Sequence, residues 1–308
     1  MKRLRSERGQ TMVLTTLFVA ALLGIAALVL DLGSWFRNQR DLQAVADAAA
    51  LAGAQELPED TSLARSRAID YTTKNGGASP GITFTSTLGG GPDTIRVELE
   101  RPAPGFFAKV FGVNSVQIRA HAAARASYPS AARWVAPITV NEKHPMLNCN
   151  PPPSCWDAGH ITEIELEHLH RPGSGTASGS FALISLNNSN VDANTLAEWL
   201  LKGYDDFMEP GDYRSAPSAN FNNGQFQSAL EKRKGTEMLF PIYRKISGSG
   251  STAEYEIVGW IGFVVLEVKG GGANQTLRGY FTRVVWEGLP ATTAPAADFG
   301  VRSIELIE

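Results

Sequence analysis

The chain has 308 residues, 43% of them hydrophobic and 19% charged, with a formal net charge of −3. That length accommodates two domains of ordinary size, and an excess of acidic (31) over basic (28) residues argues against a nucleic-acid binder. Two cysteines exclude both a disulfide-rich scaffold and a four-cysteine zinc site.

From Thr11 to Leu30 the sequence runs TMVLTTLFVAALLGIAALVL, without one charge. A helix over that stretch spans about 30 Å, the thickness of a bilayer's hydrocarbon core. Lys2, Arg3, Arg5 and Arg8 precede it against the single acid Glu7, and Asp31 comes directly after it. The positive-inside rule keeps residues 1–10 in the cytoplasm as a basic tail and exports the chain beyond residue 30. The expectation is a single-pass protein of the cytoplasmic (inner) membrane, with residues 11–30 as the span and the C-terminal domain extracytoplasmic. A cleavable signal peptide shares the basic start, but its apolar region is shorter and ends soon at a small-x-small site. Here the first such site after the apolar run, Ala44-Val-Ala46, lies beyond a charged stretch. Without residues 1–10 the remainder carries a net charge of −6, which disfavours anionic lipid headgroups and DNA.

Beyond the span, no proline interrupts the sequence until Pro58, and seven alanines fall between residues 44 and 54. High helix propensity and the i, i+4, i+7, i+11 spacing of Leu42, Ala46, Ala49 and Gly53 predict one helix from about Thr11 to Leu57, with a smooth face for partner helices. A break at Gly33-Ser34 is the alternative.

This N-terminal run resembles the Flp (Tad) pilus-assembly proteins of the TadE/TadG-like group. The matching elements are Arg8-Gly9-Gln10 before the span, Asp31-Leu32-Gly33 at its exit, and Leu42-Gln43 leading into Ala46-Asp47-Ala48-Ala49-Ala50-Leu51-Ala52. The family-motif positions are therefore Gly9, Gln10, Asp31, Gly33, Gln43 and Asp47. Looser likeness continues through residues 64–76 and 94–112 and into the strand-like run after Ser115, to about residue 128. The C-terminal half looks like the extended ectodomain of some of these proteins. The resemblance implies a membrane-anchored, pilin-like structural or assembly component whose partners are the membrane and other Tad/Flp pilus or platform proteins. Two departures stand out. Leu14 occupies the position where type IV prepilins carry Glu, which argues against prepilin-peptidase cleavage after Gly9. The Asp-x-Ser-x-Ser motif of a von Willebrand-type domain does not occur; Asp60-Thr-Ser is the nearest fragment.

Downstream, Asp60 or Thr61 is placed to cap a helix that ends near Gly76-Gly77. Alternation predicts strands around residues 82–85 and 95–99, then a short helix over Phe106–Phe111 and a strand over Val116–Ala126. This order, αββαβ, predicts that residues 31–128 form a pilin-like α+β segment. Residues 129–160, with six prolines and both cysteines, read as an irregular linker. Residues 161–308 read as a larger, mostly antiparallel, β-rich α+β domain. Its elements are strands at 161–169 and 181–186, helices at 194–203 and 225–233, and strands at 238–246, 255–268 and 277–286.

Chemistry-bearing motifs are scarce. No P-loop, nucleophile elbow, H-E-x-x-H or S-x-x-K motif occurs, and Gly173-x-Gly175 fails as a dinucleotide fingerprint because residue 178 is Ser. Cys149 and Cys155 are a disulfide candidate in an exported region, although Pro151, Pro152 and Pro153 oppose the close approach that a disulfide needs. His168 and His170 share a strand face and, with the cysteines, supply zinc-compatible atoms at spacing foreign to structural sites. A polar strand face is the plainer reading. Trp260, Phe263, Tyr280, Phe281 and Trp286 are either a glycan platform or core, and strand aromatics are more often core. The sequence thus predicts no enzyme, no cofactor, no resident metal, no nucleic acid and no small-molecule substrate. The alternative is an anchored ligand-binding or adhesive domain and, after it, an anchored enzyme lacking recognisable motifs.

Overall fold

The computed structural model describes residues 8–77, 79–88, 91–149, 155–165, 183–216, 223–248, 252–269, 276–286, 291–292 and 298–308. It is α+β and divides into two compact units, Met1–Arg125 with Leu306–Glu308, and Ala126–Glu305.

The first unit is organised by one helix, α1 (Arg8–Ala54), which continues through Gly33 without a break. Residues 11–30 expose apolar side chains around the whole circumference, including Leu14, Phe18, Leu22, Ile25 and Val29. The most apolar 18-residue window has a mean hydropathy of 2.7 and none of it is buried. Large apolar side chains exposed on every face are stable only in an apolar solvent, and the chain is membrane-anchored through this helix.

Beyond the span the same helix is amphipathic in a different sense. Leu42, Ala46, Ala49 and Ala50 are fully buried, while Arg40 and Ala44 stay exposed. A second helix, α2 (Thr61–Lys74), begins where Asp60 accepts a hydrogen bond from the Leu63 amide at 2.8 Å. Its buried face, Ala64, Ala68 and Thr72, recurs at i, i+4, i+8 and lies against α1. Three antiparallel strands come next in meander order: β1 (Gly81–Thr85), β2 (Thr94–Pro104) and β3 (Ser115–Pro129). On β2 the residues Ile95, Val97, Leu99 and Ala103 point inward with the period of two expected of a half-buried strand. A single 3-10 turn at Ala108–Phe111 caps the β2–β3 hairpin. The end of the chain returns to this unit, with the Ile307 amide donating to the Ala123 carbonyl at 2.9 Å.

The second unit is built on a mixed sheet with strand order β4-β7-β8-β9-β5, where β4 is Val140–Asn141, β5 Thr162–Glu165, β7 Glu237–Ser247, β8 Glu254–Lys269 and β9 Thr276–Thr282. Strand β6 (Gly211–Arg214) pairs with β8 off this path. Among the described strands of this sheet, β4 runs parallel to its neighbour β7 and the others pair antiparallel. The run Met238–Tyr243 is buried on both faces: Met238, Phe240 and Ile242 join one apolar cluster, and Leu239 and Tyr243 the other. Two short helices, α3 (Ala193–Lys202) and α4 (Gly224–Arg233), close the first cluster with Leu196, Leu200, Phe226 and Leu230. Strand β10 (Val284–Trp286) pairs in parallel with β12 (Val301–Leu306), and β11 (Ala291–Thr292) pairs with the end of β3.

Residues 129–149 and 155–160 cover the described part of the expected linker. Their backbone is largely irregular, but Val135, Ile138, Val140 and Leu147 are buried in the two clusters of the second unit. Ala136 N–H donates to the Leu239 carbonyl at 2.8 Å, so the segment is stitched to β7 by backbone bonds rather than spaced away from it.

Candidate functional site

The richest concentration of specific contacts in the first unit lies along α1. Asp31, one residue past the apolar run, is fully buried. Its carboxylate accepts from three consecutive backbone amides of the hairpin turn: Phe106 at 3.0 Å, Phe107 at 3.0 Å and Ala108 at 2.5 Å. These are the donors that a turn N-terminus leaves orphaned, and Phe107, at the cap position, has no side chain able to serve them. Asp31 therefore caps a turn more than seventy residues away in sequence. One turn further along α1, the Trp35 indole N–H donates to the Pro104 carbonyl at 3.1 Å. Arg101 then donates to the Asn38 carbonyl at 3.2 Å. The Gln43 side-chain amide donates to both Asp47 Oδ1 and the His121 carbonyl, each at 2.7 Å. Together these bonds lace β2 antiparallel and β3 parallel to the helix.

The expected packing residues Leu42, Ala46, Ala49 and Gly53 are all in contact with this chain's own first unit, not held free for a partner helix. At Gly53 a Cβ would come within 2.5 Å of Ile95 Cδ1 and 3.0 Å of the Ala64 carbonyl. The alanine-rich surface is smooth because α2 and β2 must approach it closely. Gly33 has open space around it, and a Cβ there would meet nothing within 4 Å. Gly9 and Gln10 lie within α1 or its first turn, and their side chains fall outside the described residues. An open groove of about 430 Å³ lies beside this lattice, lined by Leu32, Trp35, Phe36 and Gln39 on α1 and Val116 to Arg119 on β3.

The second unit carries little reactive chemistry. Cys149 and Cys155 are joined as a disulfide with Cα atoms 6.3 Å apart. Oxidised sulfur offers no thiolate to a metal. His168 and His170 lie outside the described residues, and among the described residues no three His, Cys, Asp or Glu groups gather as a metal site. His144 accepts from the Met146 amide at 3.2 Å and packs edge-on against Phe281; burial holds its pKa below the ordinary value, so it is a neutral, structural histidine. Trp260, Phe263 and Phe281 are buried, which makes them core rather than a platform; Tyr280 is half-buried, and the Trp286 side chain falls outside the described residues. The cleft beside Trp260, lined by Tyr128, Pro210, Val258 and Val301, holds only about 30 Å³. Arg302 is 2% exposed, lies over the Tyr128 ring, and is held by both carboxylate oxygens of Asp298. Burial raises the Asp298 pKa, but the Arg302 hydrogen bond and charge, with the Gly300 amide, bring it below the ordinary range. That pair satisfies a buried cation.

Residues 9–56 match the family model described as "putative Flp pilus-assembly TadE/G-like". That stretch is TadE/G-like. The TadE/G-like segment takes in the span, Asp31, Gln43, Asp47 and the buried face of α1, and it ends just before Leu57. No curated protein and no solved structure matches the chain. The sequence marks Asp31, Gln43 and Asp47 as positions of interest without giving them a task. The turn that Asp31 holds, Gly105-Phe-Phe-Ala-Lys-Val-Phe-Gly112, was missed as a functional element. Glycines bounding a short apolar run with a single lysine were the available signal.

Proposed function

We propose that this chain is a pilin-like structural or assembly component of a Flp (Tad) pilus or a related surface machine, and that it works without catalysis. The observation that carries this reading is the TadE/G-like match over residues 9–56, which coincides with the membrane helix and the α1 positions that organise the first unit. In this reading the basic tail stays in the cytoplasm, and the chain beyond residue 30 is carried across the cytoplasmic membrane. The exposed line Phe36, Arg40 and Ala44, at i, i+4 and i+8 of α1, is the helix face left to meet pilus or platform proteins.

The test is deletion of the gene, then complementation. The reading predicts loss of surface pili in the deletion strain, their return with the wild-type chain, and co-purification of the tagged chain with pilus or platform proteins. Normal pili in the deletion strain would contradict it.

A further inference from the structure

The contacts along α1 form a ladder with a direction. Ile95 at the start of β2 lies against Gly53, Arg101 bonds Asn38, Pro104 bonds Trp35, and Phe106 to Ala108 bond Asp31. Going down this ladder, β2 descends the helix towards the membrane span. The β2–β3 hairpin turns at residues 105–114, and its tip arrives where the uncharged run ends. The tip is apolar and uncovered: Phe106 is 62% exposed, Phe107 45%, Val110 82% and Phe111 79%. Lys109 is the single charge between Gly105 and Asn114.

We propose that this hairpin tip is a second membrane contact, inserted into the interfacial layer of the same bilayer that α1 spans. The inference rests on α1 being the membrane anchor. Four large apolar side chains on one short turn form an exposed patch that water disfavours, and the neighbouring surface is the lipid-facing circumference of α1. The two surfaces are continuous because Asp31 holds the turn onto the helix at the exit of the span. The same carboxylate satisfies the Phe106, Phe107 and Ala108 amides, which removes the main obstacle to placing a turn at the edge of a medium that cannot hydrogen-bond. Trp35 and the exposed Phe36 lie at the same level, where aromatic rings favour the headgroup boundary, and Lys109 has the stem length to reach back to water. The occupant is lipid rather than an acidic or basic partner because the tip carries one charge and four apolar groups. Insertion therefore needs no anionic headgroup and is insensitive to salt. A helix and a hairpin tip entering together fix the rotation and depth of the first unit against the bilayer, which a helix alone leaves free to pivot.

The experiment uses the full chain reconstituted in phosphatidylcholine vesicles, with a single environment-sensitive fluorophore on Phe111→Cys, Val110→Cys, Leu22→Cys or Ser86→Cys. Ser86 lies at the other end of the sheet, beside Thr85 and its partner Thr94. Native Cys149 and Cys155 are joined and do not take the label. The proposal predicts blue-shifted emission at 110 and 111, quenching there by shallow spin-labelled lipids, and severalfold weaker quenching by aqueous iodide than at 86, unchanged by high salt. A lipid-buried signal at 22 with full iodide quenching at 110 and 111 would overturn the tip insertion while leaving the anchor standing. Aqueous exposure at 22 as well would overturn the anchor itself. Protection of 110 and 111 from iodide without any quenching by spin-labelled lipid would point to a protein contact and also overturn the proposal.

Discussion

Residues 11–30 and 42–54 belong to one unbroken helix, yet they invert the usual relation between size, polarity and burial. The first stretch carries Leu, Phe, Val and Ile and leaves them exposed on every side. The second is mostly alanine and is buried, with Ala46, Ala49, Ala50 and Ala54 fully inaccessible. Each stretch is matched to its surroundings. Lipid asks for bulk and apolarity on every face, whereas a helix lying close against α2 and β2 has room only for small side chains on the covered face. Burial in this chain is thus set by which neighbour each segment meets, and Asp31 marks the change of neighbour.

The comparison breaks most visibly with charge. Leu42→Asp together with Ala49→Asp puts two unpaired carboxylates into the packed half, at a cost of more than about 4 kcal/mol. The first unit should unfold, seen as rapid proteolysis of full-length chain in detergent. Unchanged protease resistance would mean that this face is not buried. Packing alone can be tested at Gly53, where Gly53→Leu forces Ile95 and the Ala64 backbone to move and should cost about 1–3 kcal/mol, read as a lower thermal midpoint. The equivalent enlargement in the span, Gly24→Leu, meets open space and should leave that midpoint in place.

At the junction, Asp31→Ala orphans three amides and should cost about 1–3 kcal/mol, with amide exchange accelerating at Phe106, Phe107 and Ala108 before the rest of the sheet. Acid should act in the same unit through Asp93. Burial raises its pKa, but hydrogen bonds from the Thr94 and Thr87 hydroxyls and the Leu88 and Thr87 amides outweigh that and bring it below the ordinary value. A carboxylate with a depressed folded-state pKa contributes stability above its unfolded pKa, about 3.9, and loses it as pH falls through the folded value. The β1–β2 region should therefore loosen below about pH 4, and Asp93→Asn should flatten that dependence. The smallest stability change is expected on the uncovered line: Arg40→Glu with Ala44→Asp should shift folding by no more than about 0.5 kcal/mol. In the proposed role it should nonetheless abolish piliation.

Local order was legible in the sequence. The span, the Asp60-capped second helix, the αββαβ sequence of elements and the helices near 194 and 225 all derive from propensity, capping residues and periodicity, and they appear within a few residues of expectation. Partners were not legible. Leu42, Ala46 and Ala49 announce a face but not its cover, and α2 and β2 compete on equal terms with another protein's helix until the fold is known. Asp31 is a lone acid until Phe106 is brought beside it. Proline-rich residues 129–160 look like a spacer because irregular backbone has no period, yet hydrogen bonds to β7 let them carry Val135, Ile138 and Val140 into the core. The candidate site was legible as a set of motif positions and illegible as a ladder.

The central claim, that one helix passes from lipid into its own protein unit, is tested most directly by single-cysteine scanning of residues 12–54 in the full chain in vesicles. Each position would be probed with a membrane-permeant and a water-soluble thiol reagent. The account predicts that residues 12–30 resist the water-soluble reagent at every position around the helix, that 40 and 44 react with it, and that 42, 46 and 49 react with neither. A three-to-four-residue rhythm of aqueous reactivity within 12–30 would contradict it, because that pattern belongs to a helix with one wet face.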